Sequence, residues 1–488
     1  MSGGALRSVR QATGVVLLFV VGACGSSTAP HTTTPTPHPN IYFLAGNQQT
    51  DTVQSVPAQA LVVLITHNGS LVPGAVVQFE AVSAADSVNP YGGDWVDIAP
   101  LSSNQPTSFV AETTNTQGEA NVDVYFGTRA GTAPLVVKVP ALGYVDTAKF
   151  TVTAGSAATL QSGPVDTSVY VNGTVKLHSA VVDRFGNPRT DPVSYALLSG
   201  PAHLSGSTVT VTGIGRVAVT GMANKAIDTS YISGIPSGTM AASLDAGGIA
   251  TFNLDGSGYR VITTTAAGTV VWNPSGTSLV FDQTSGGGTS GGDATLFSTT
   301  TSGSVTVLDN SGGPTDAWPS YSHDGTWIYY TKITNNFDIW RVHPDGTSDS
   351  LLSAQAGAFS SEFPSPSPDG TQLVYLVPGS AAVEILNLST GVVTPLGSIV
   401  ANSTAWSPNQ NVIAYNANGI ISIIHPDGTG QTTLTGATYE YQLGWSPDGN
   451  WIVARNIYTR KIDLISVTTP GLILPLGYTG TMDSPTWH

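Results

Sequence analysis

Asp316, Glu362, Glu440 and Asp483 each stand four or five residues ahead of an aromatic residue or proline, in segments that otherwise resemble one another. Four carboxylates at one position of a repeat would share one end of a repeated structure. There they would ring an opening and attract a metal cation or the basic end of a peptide. The competing role is local, since an acid just before such a strand also ties down its own loop. The balance lies toward that role, because isolated carboxylates are poor indicators of a site.

The elements that must hold these acids are read from the repeat. The runs VWNPSGTSLVF (271–281), SYSHDGTWIYY (320–330), SPSPDGTQLVY (365–375), AWSPNQNVIAY (405–415) and GWSPDGNWIVA (444–454) share an aromatic or proline, a turn and an apolar strand. From Trp272 through Tyr321, Pro366, Trp406 and Trp445 to Trp487 the steps are 49, 45, 40, 39 and 42 residues. That period suits four short strands with tight turns. Strand–turn–strand segments lie between them, at 249–263, 338–352, 383–396 and 420–435, so each repeat holds two hairpins. Together the WSPDG and HPDGTG motifs resemble the TolB-like β-propellers, over roughly residues 236–488. DSPTWH at the chain's end supplies an innermost strand that IPSGTMAAS (235–243) lacks, so six blades are expected, one completed from both ends of the domain.

The other chemical candidates have structural explanations. Asp255, Asp324, Asp345, Asp369, Asp427 and Asp448 each precede glycine and read as turn residues. Trp272, Trp406, Trp445 and Trp487 recur with the repeat, as core wedges do. GTSGG at 288–292 matches a nucleophile elbow around Ser290, but no α/β-hydrolase pattern surrounds it, and it falls in the Gly-rich stretch 284–293. His343 and His425 occupy the same HPDG turn, leaving His323 and His488, too few for a site. HExxH, CxxC and Walker sequences are absent. No catalytic set, metal site or cofactor is therefore expected.

Ahead of the repeat, LVVLIT (61–66), AVVQFEAV (75–82), ANVDVYFG (120–127), PLVVKV (134–139) and AKFTVTAG (148–155) read as strands. HNGSLVPGAVVQFE and TNTQGEANVDVYFG resemble the bacterial Ig-like domains of invasin-type surface proteins, which implies a β-sandwich at 41–155. A second unit at 156–235 resembles the same modules, with Asp183, Gly186 and Asn187 at a hairpin turn. His67, His178 and His203 are scattered and read as strand residues. The expected fold is thus all-β: two Ig-like sandwiches and a propeller at 236–488.

Arg7 and Arg10 precede a short apolar run, Gly14 to Val21, which fits a secretory signal rather than a membrane span. It ends in Val21, Gly22, Ala23, Cys24, resembling the lipobox of bacterial lipoproteins. That resemblance implies cleavage after residue 23, acylation of Cys24 (the single cysteine of the chain) and membrane attachment. The competing outcome is a soluble secreted protein with Cys24 discarded or free. Gly25, in place of Asp, favours the outer membrane over retention, leaving open which of its faces the body occupies. Residues 24–40, rich in Thr and Pro, read as a tether, with His31 and His38 solvated in it.

Sixteen bases against 31 acids give a net charge of −15, which disfavours a nucleic-acid partner. The expected function is a lipid-anchored, non-enzymatic binding module of the cell envelope, whose propeller takes a protein or peptide ligand. A propeller that binds or cleaves polysaccharide is the alternative, and a purely structural surface protein a third. Polar residues that face the channel and differ among blades would argue against the third.

Overall fold

The computed structural model describes residues 40–82, 95–103, 105–283, 296–309, 315–333, 337–353, 362–377, 379–436, 438–477 and 482–488. The signal segment, Cys24, His31, His38, the tether up to residue 39, and Ser290 with its Gly-rich stretch lie outside these residues. Among the described residues the one helical element is the short 3-10 turn Pro140–Leu142; everything else regular is strand. The chain divides into two compact units, Met1–Thr153 and Ala154–His488.

In the first unit, Ile41–Ala45, Leu61–His67, Glu119–Phe126 and Val96–Ala99 form one sheet, with Ser70–Leu71 added to Leu61–His67. Thr50–Thr52, Tyr144–Thr153, Gly131–Val139, Val76–Ala81 and Phe109–Thr113 form the other. Side chains of Glu119–Phe126 alternate between buried and half-exposed, the period-two pattern of a strand with one face on a core. Phe126 of the first sheet meets Phe150 of the second edge to face, with ring centroids 5.9 Å apart. Aromatic contacts of this kind hold the two sheets face to face.

The second unit begins with a smaller β-module. Asp166–Tyr170, Ala226–Ile235, Gly215–Ala223 and Ser194–Ser199 make its largest sheet. At its hairpin turn the buried Asp183 accepts hydrogen bonds from the backbone N–H groups of Gly155, Phe185 and Asn187 at 2.8, 2.8 and 3.0 Å. Burial raises its pKa, yet those bonds and one from the Asn187 amide outweigh it and hold the carboxyl below its ordinary value. The module is bonded to the sheets C-terminal to it. Lys461 reaches Asp166 at 2.9 Å, the Gly477 N–H donates to Ser168 Oγ at 3.0 Å, and Ile235 is a core residue beside Leu474 and Leu476.

Among the described residues, six four-stranded antiparallel sheets succeed one another in sequence from Thr239. The innermost strands are Met482–Trp487 for the first sheet, then Val270–Trp272, Thr315–Tyr321, Glu362–Pro366, Ser403–Trp406 and Gly444–Trp445. Met482–Trp487 pairs with Thr239–Leu244, bringing Met240 opposite Trp487. Each pair of successive sheets shares an apolar core. Tyr330 packs with Val280 and Leu296, Tyr375 with Tyr329 and Ile339, and Trp406 with Val374 and Leu376. The last core joins Val453 and Leu464 of the sixth sheet to Phe252 and Met482 of the first. Cores that run round in a circle close the sheets into a ring, the arrangement of a β-propeller.

The six turn aspartates do what their sequence position requires. Asp255, Asp324, Asp345, Asp369, Asp427 and Asp448 each accept the backbone N–H two residues on, at 2.9–3.0 Å. The glycine after each has positive φ, 72° at Gly325 for example, which a side chain would resist.

Candidate functional site

The innermost strands run in parallel round the ring, so their starts share one mouth and their ends the other. Between them lies a channel cavity of about 290 Å³, lined by Trp272, Tyr321, Pro366, Trp406, Trp445 and Trp487 among others. The repeated aromatic or proline is thus a wall residue as well as a core wedge. A second cavity, about 580 Å³, opens at the mouth formed by the strand starts, against Asp245, Asp282 and Asp483. Thr269, Trp318, Gln442 and Ser484 line both, so the mouth leads into the channel.

The four acids of the repeat do not share one environment. Glu440 and Asp483 come together round Arg455, whose guanidinium lies 3.4 Å from Glu440 and 4.0 Å from Asp483. Asp245, from the first sheet, is its third carboxylate neighbour at 3.4 Å. Burial and the neighbouring Asp483 push the Glu440 carboxyl above its usual value, with Arg455 opposing. The Oδ1 of Asp483 also accepts the N–H of Ser484 at 2.8 Å, so this acid does tie down its own loop.

Asp316 belongs to a separate buried group. It pairs across strands with Lys332, whose ammonium contacts Asp309 at 2.6 Å and Asp349 at 3.2 Å. Burial, reinforced by the Asp309 carboxylate and only partly offset by Lys332, pushes the Asp316 carboxyl up to about 8. It is therefore protonated at neutral pH. The backbone of Glu362 opens its strand in the fourth sheet, and its side chain lies outside the described ones. Among the described residues no group of three or more His, Cys, Asp and Glu is arranged to hold a metal ion.

The inner strands are bent at this mouth. The register shifts between Ala317 and Ser320 in the third sheet and between Glu362 and Ser365 in the fourth. Trp318 (φ 53°), Phe363 (φ 54°) and Ser484 (φ 48°) take left-handed backbone conformations there. Bulky residues adopt such conformations at a cost, and only where their surroundings fix them. The rings of Trp318 and Phe363 lie 4.8 Å apart. Asp282 supplies a further restraint: its two carboxylate oxygens accept the N–H of Trp318 at 2.8 Å and of Thr269 at 2.7 Å. Asp282 is 1% exposed, and burial pushes its carboxyl up to about 6 despite these bonds.

Asp282 and Arg455 are not among the residues that the repeat's acids or turns single out, though a signal exists. Each is the sixth residue after the turn glycine of its repeat, Gly276 and Gly449. Thr331 and Leu376 hold the same offset from Gly325 and Gly370, and Asn416 is the matching residue of the fifth sheet. Asn416 bonds the Glu440 carbonyl at 2.8 Å and so supports the mouth from a third position. At one place of the repeat the side chain is acidic, basic, amide, hydroxyl or apolar, according to the sheet.

No protein-family model matches the chain. A protein of Agrobacterium fabrum, Atu1656, is 32% identical over 130 residues, covering 23% of this chain. The chain spans 43% of that relative's length. Among solved structures, TolB from Acinetobacter baumannii is similar at 14% identity and a TM-score of 0.42, over 69% of this chain and 89% of that one. A nidogen/laminin complex matches at 11% identity and 0.41, over 51% and 98%. An oligogalacturonate lyase in complex with manganese matches at 14% and 0.36, over 64% and 98%.

Proposed function

We propose that the protein is a non-enzymatic binding module of the cell envelope, whose six-bladed, TolB-like propeller takes a protein or peptide ligand at its channel. The first unit and the module at 156–235 serve as Ig-like spacers. Acylation at Cys24 and the Thr/Pro tether attach the whole to the outer membrane. The observation that carries the reading is the variation among Thr269, Trp318, Phe363, Ser403, Gln442 and Ser484, each three residues ahead of the repeated aromatic or proline and each lining the channel. A ring serving only as a spacer has no need to vary that channel-lining place from sheet to sheet, whereas a ligand seat does. The open mouth and aromatic channel provide room and apolar area for that ligand.

The test is a pull-down from envelope extract with residues 154–488 immobilised, because the second module packs against the ring, and residues 40–153 as control. A protein retained by the ring and lost on changing Asp245 with Asp483 supports the reading. Retention of nothing in repeated trials, with a hit on a glycan array, replaces it by the polysaccharide alternative.

A further inference from the structure

The second module has an unfinished flank. Ser194–Ser199 is the outer strand of its largest sheet, with Gly215–Ala223 on one side and, among the described residues, no strand on the other. Ala202–Ser205 is likewise the outer strand of a three-stranded sheet, and the two strands meet one core through Tyr195 and Leu204. Between these edges opens a cavity of about 350 Å³, lined by Val193, Tyr195, Leu204 and Gly206 among others. Leu197 stands in register with Val219, which is 0% exposed, so its side chain is on the core side of the sheet. Even so, Leu197 is 38% exposed. An apolar side chain that faces a core and still meets water marks a place where the core lacks a wall.

The strand is also open to pairing. Sheet edges are ordinarily blunted by charge or proline, and SYALLS carries neither. A bulge after Leu197 leaves Leu198 68% exposed, while Ser194–Leu197 keeps regular register. The hydroxyl of Tyr195 is hydrogen-bonded with Ser179 Oγ at 2.8 Å, which holds the strand in place. The opposite edge of the sheet, Asp166–Tyr170, is closed by the sixth sheet through Lys461 and Gly477.

Charge bears on which chain pairs there. Residues 154–238 carry five bases and four acids, against five and nine in residues 1–153 and six and eighteen in residues 239–488. In a chain of net charge −15, this module is where two copies approach without mutual repulsion. An uncharged strand also suits a two-fold axis, because antiparallel pairing with its own copy sets no like charges opposite one another. With Ala196 on the axis, Tyr195 faces the partner's Leu197 on the core side, over the open flank.

We propose that Ser194–Ser199 pairs antiparallel with the same strand of a second copy, so that the protein forms a two-fold dimer through its second module and each strand walls the other's flank. The contact is smaller than the roughly 1,600 Å² of a standard interface, so the dimer is reversible. This role goes beyond that of a spacer and is independent of what the channel binds.

The test is sedimentation of the full chain over a range of concentrations, with Cys24 unacylated and kept reduced so that it cannot link copies. The wild type is expected to pass from monomer to dimer as concentration rises. Ala196 is exposed. Ala196→Lys and Ala196→Glu each set like charges face to face and should raise the dissociation constant about tenfold or more, while an equimolar mixture of the two regains a dimer. Thermal unfolding of each variant separates lost pairing from lost fold. A monomer at every concentration, a dimer indifferent to both charges, or a mixture that stays monomeric overturns the inference. A monomer that captures another protein by this strand, and releases it in Ala196→Lys, also overturns it and assigns the edge to a foreign strand.

Discussion

Asp282 and Asp316 are the residues whose chemistry reaches furthest. Asp282 accepts one N–H from each of two inner strands, so Asp282→Leu strands both donors in a buried site. We expect a loss of about 2–5 kcal/mol in urea unfolding of the second unit, with Asp282→Asn retaining part of it. Both carboxyls have folded pKa values above the ordinary Asp value, at about 6 and about 8. Their protonated forms are thus favoured by folding. The stability they contribute is complete below the unfolded pKa and is lost as pH rises through the folded one. The melting temperature should therefore fall from about pH 4 to about pH 8 and level off above that, and Asp316→Asn should flatten the upper part of that fall. A profile identical to wild type would show that Asp316 is not the group responsible. The turn aspartates are legible in sequence because their partners lie two residues away. Asp282 is not, because Trp318 is 36 residues off in another sheet.

At the scale of strands and sheets, the repeat is the readable part. Its aromatic or proline locates the inner strands, and its Asp–Gly turn locates the hairpin after each. What periodicity does not show is the bend at Trp318 and Phe363, because left-handed backbone at a bulky residue has no sequence signature. A ring of four acids would require that position in the repeat equal position in space. The strands instead turn Asp316 inward to Lys332 and leave Glu440 and Asp483 at Arg455. Pairing of Met482–Trp487 with Thr239–Leu244 gives the sharpest prediction here. Deleting residues 482–488 removes the inner strand of the first sheet and exposes the edge of Thr239–Leu244. The product should bind a hydrophobic dye and aggregate on warming, as tracked by dye fluorescence and light scattering. A soluble product with an unchanged melting temperature would show that the pairing is dispensable.

For the whole molecule, the second module and the ring should behave as one cooperative body. Lys461 and Arg216 converge on Asp166, at 2.9 and 2.7 Å, where module and sixth sheet meet. Asp166→Ala leaves two cations facing one another in a half-buried contact. Calorimetry should then resolve a separate, earlier transition for the module, where the wild-type second unit unfolds in a single step.

The inner strand of the first sheet is the segment Met482–Trp487, and that carries a meaning for how the ring is made. Until it arrives, Thr239–Leu244 has no inner partner and the core shared by the sixth and first sheets is open on one side. Five sheets can form as the chain is produced, but the ring itself cannot. A long-range closure of this kind is a slow step, during which an unpaired strand edge is presented to other chains. Until Met482–Trp487 docks, the open edge of Thr239–Leu244 is therefore where one copy of the chain can pair wrongly with another.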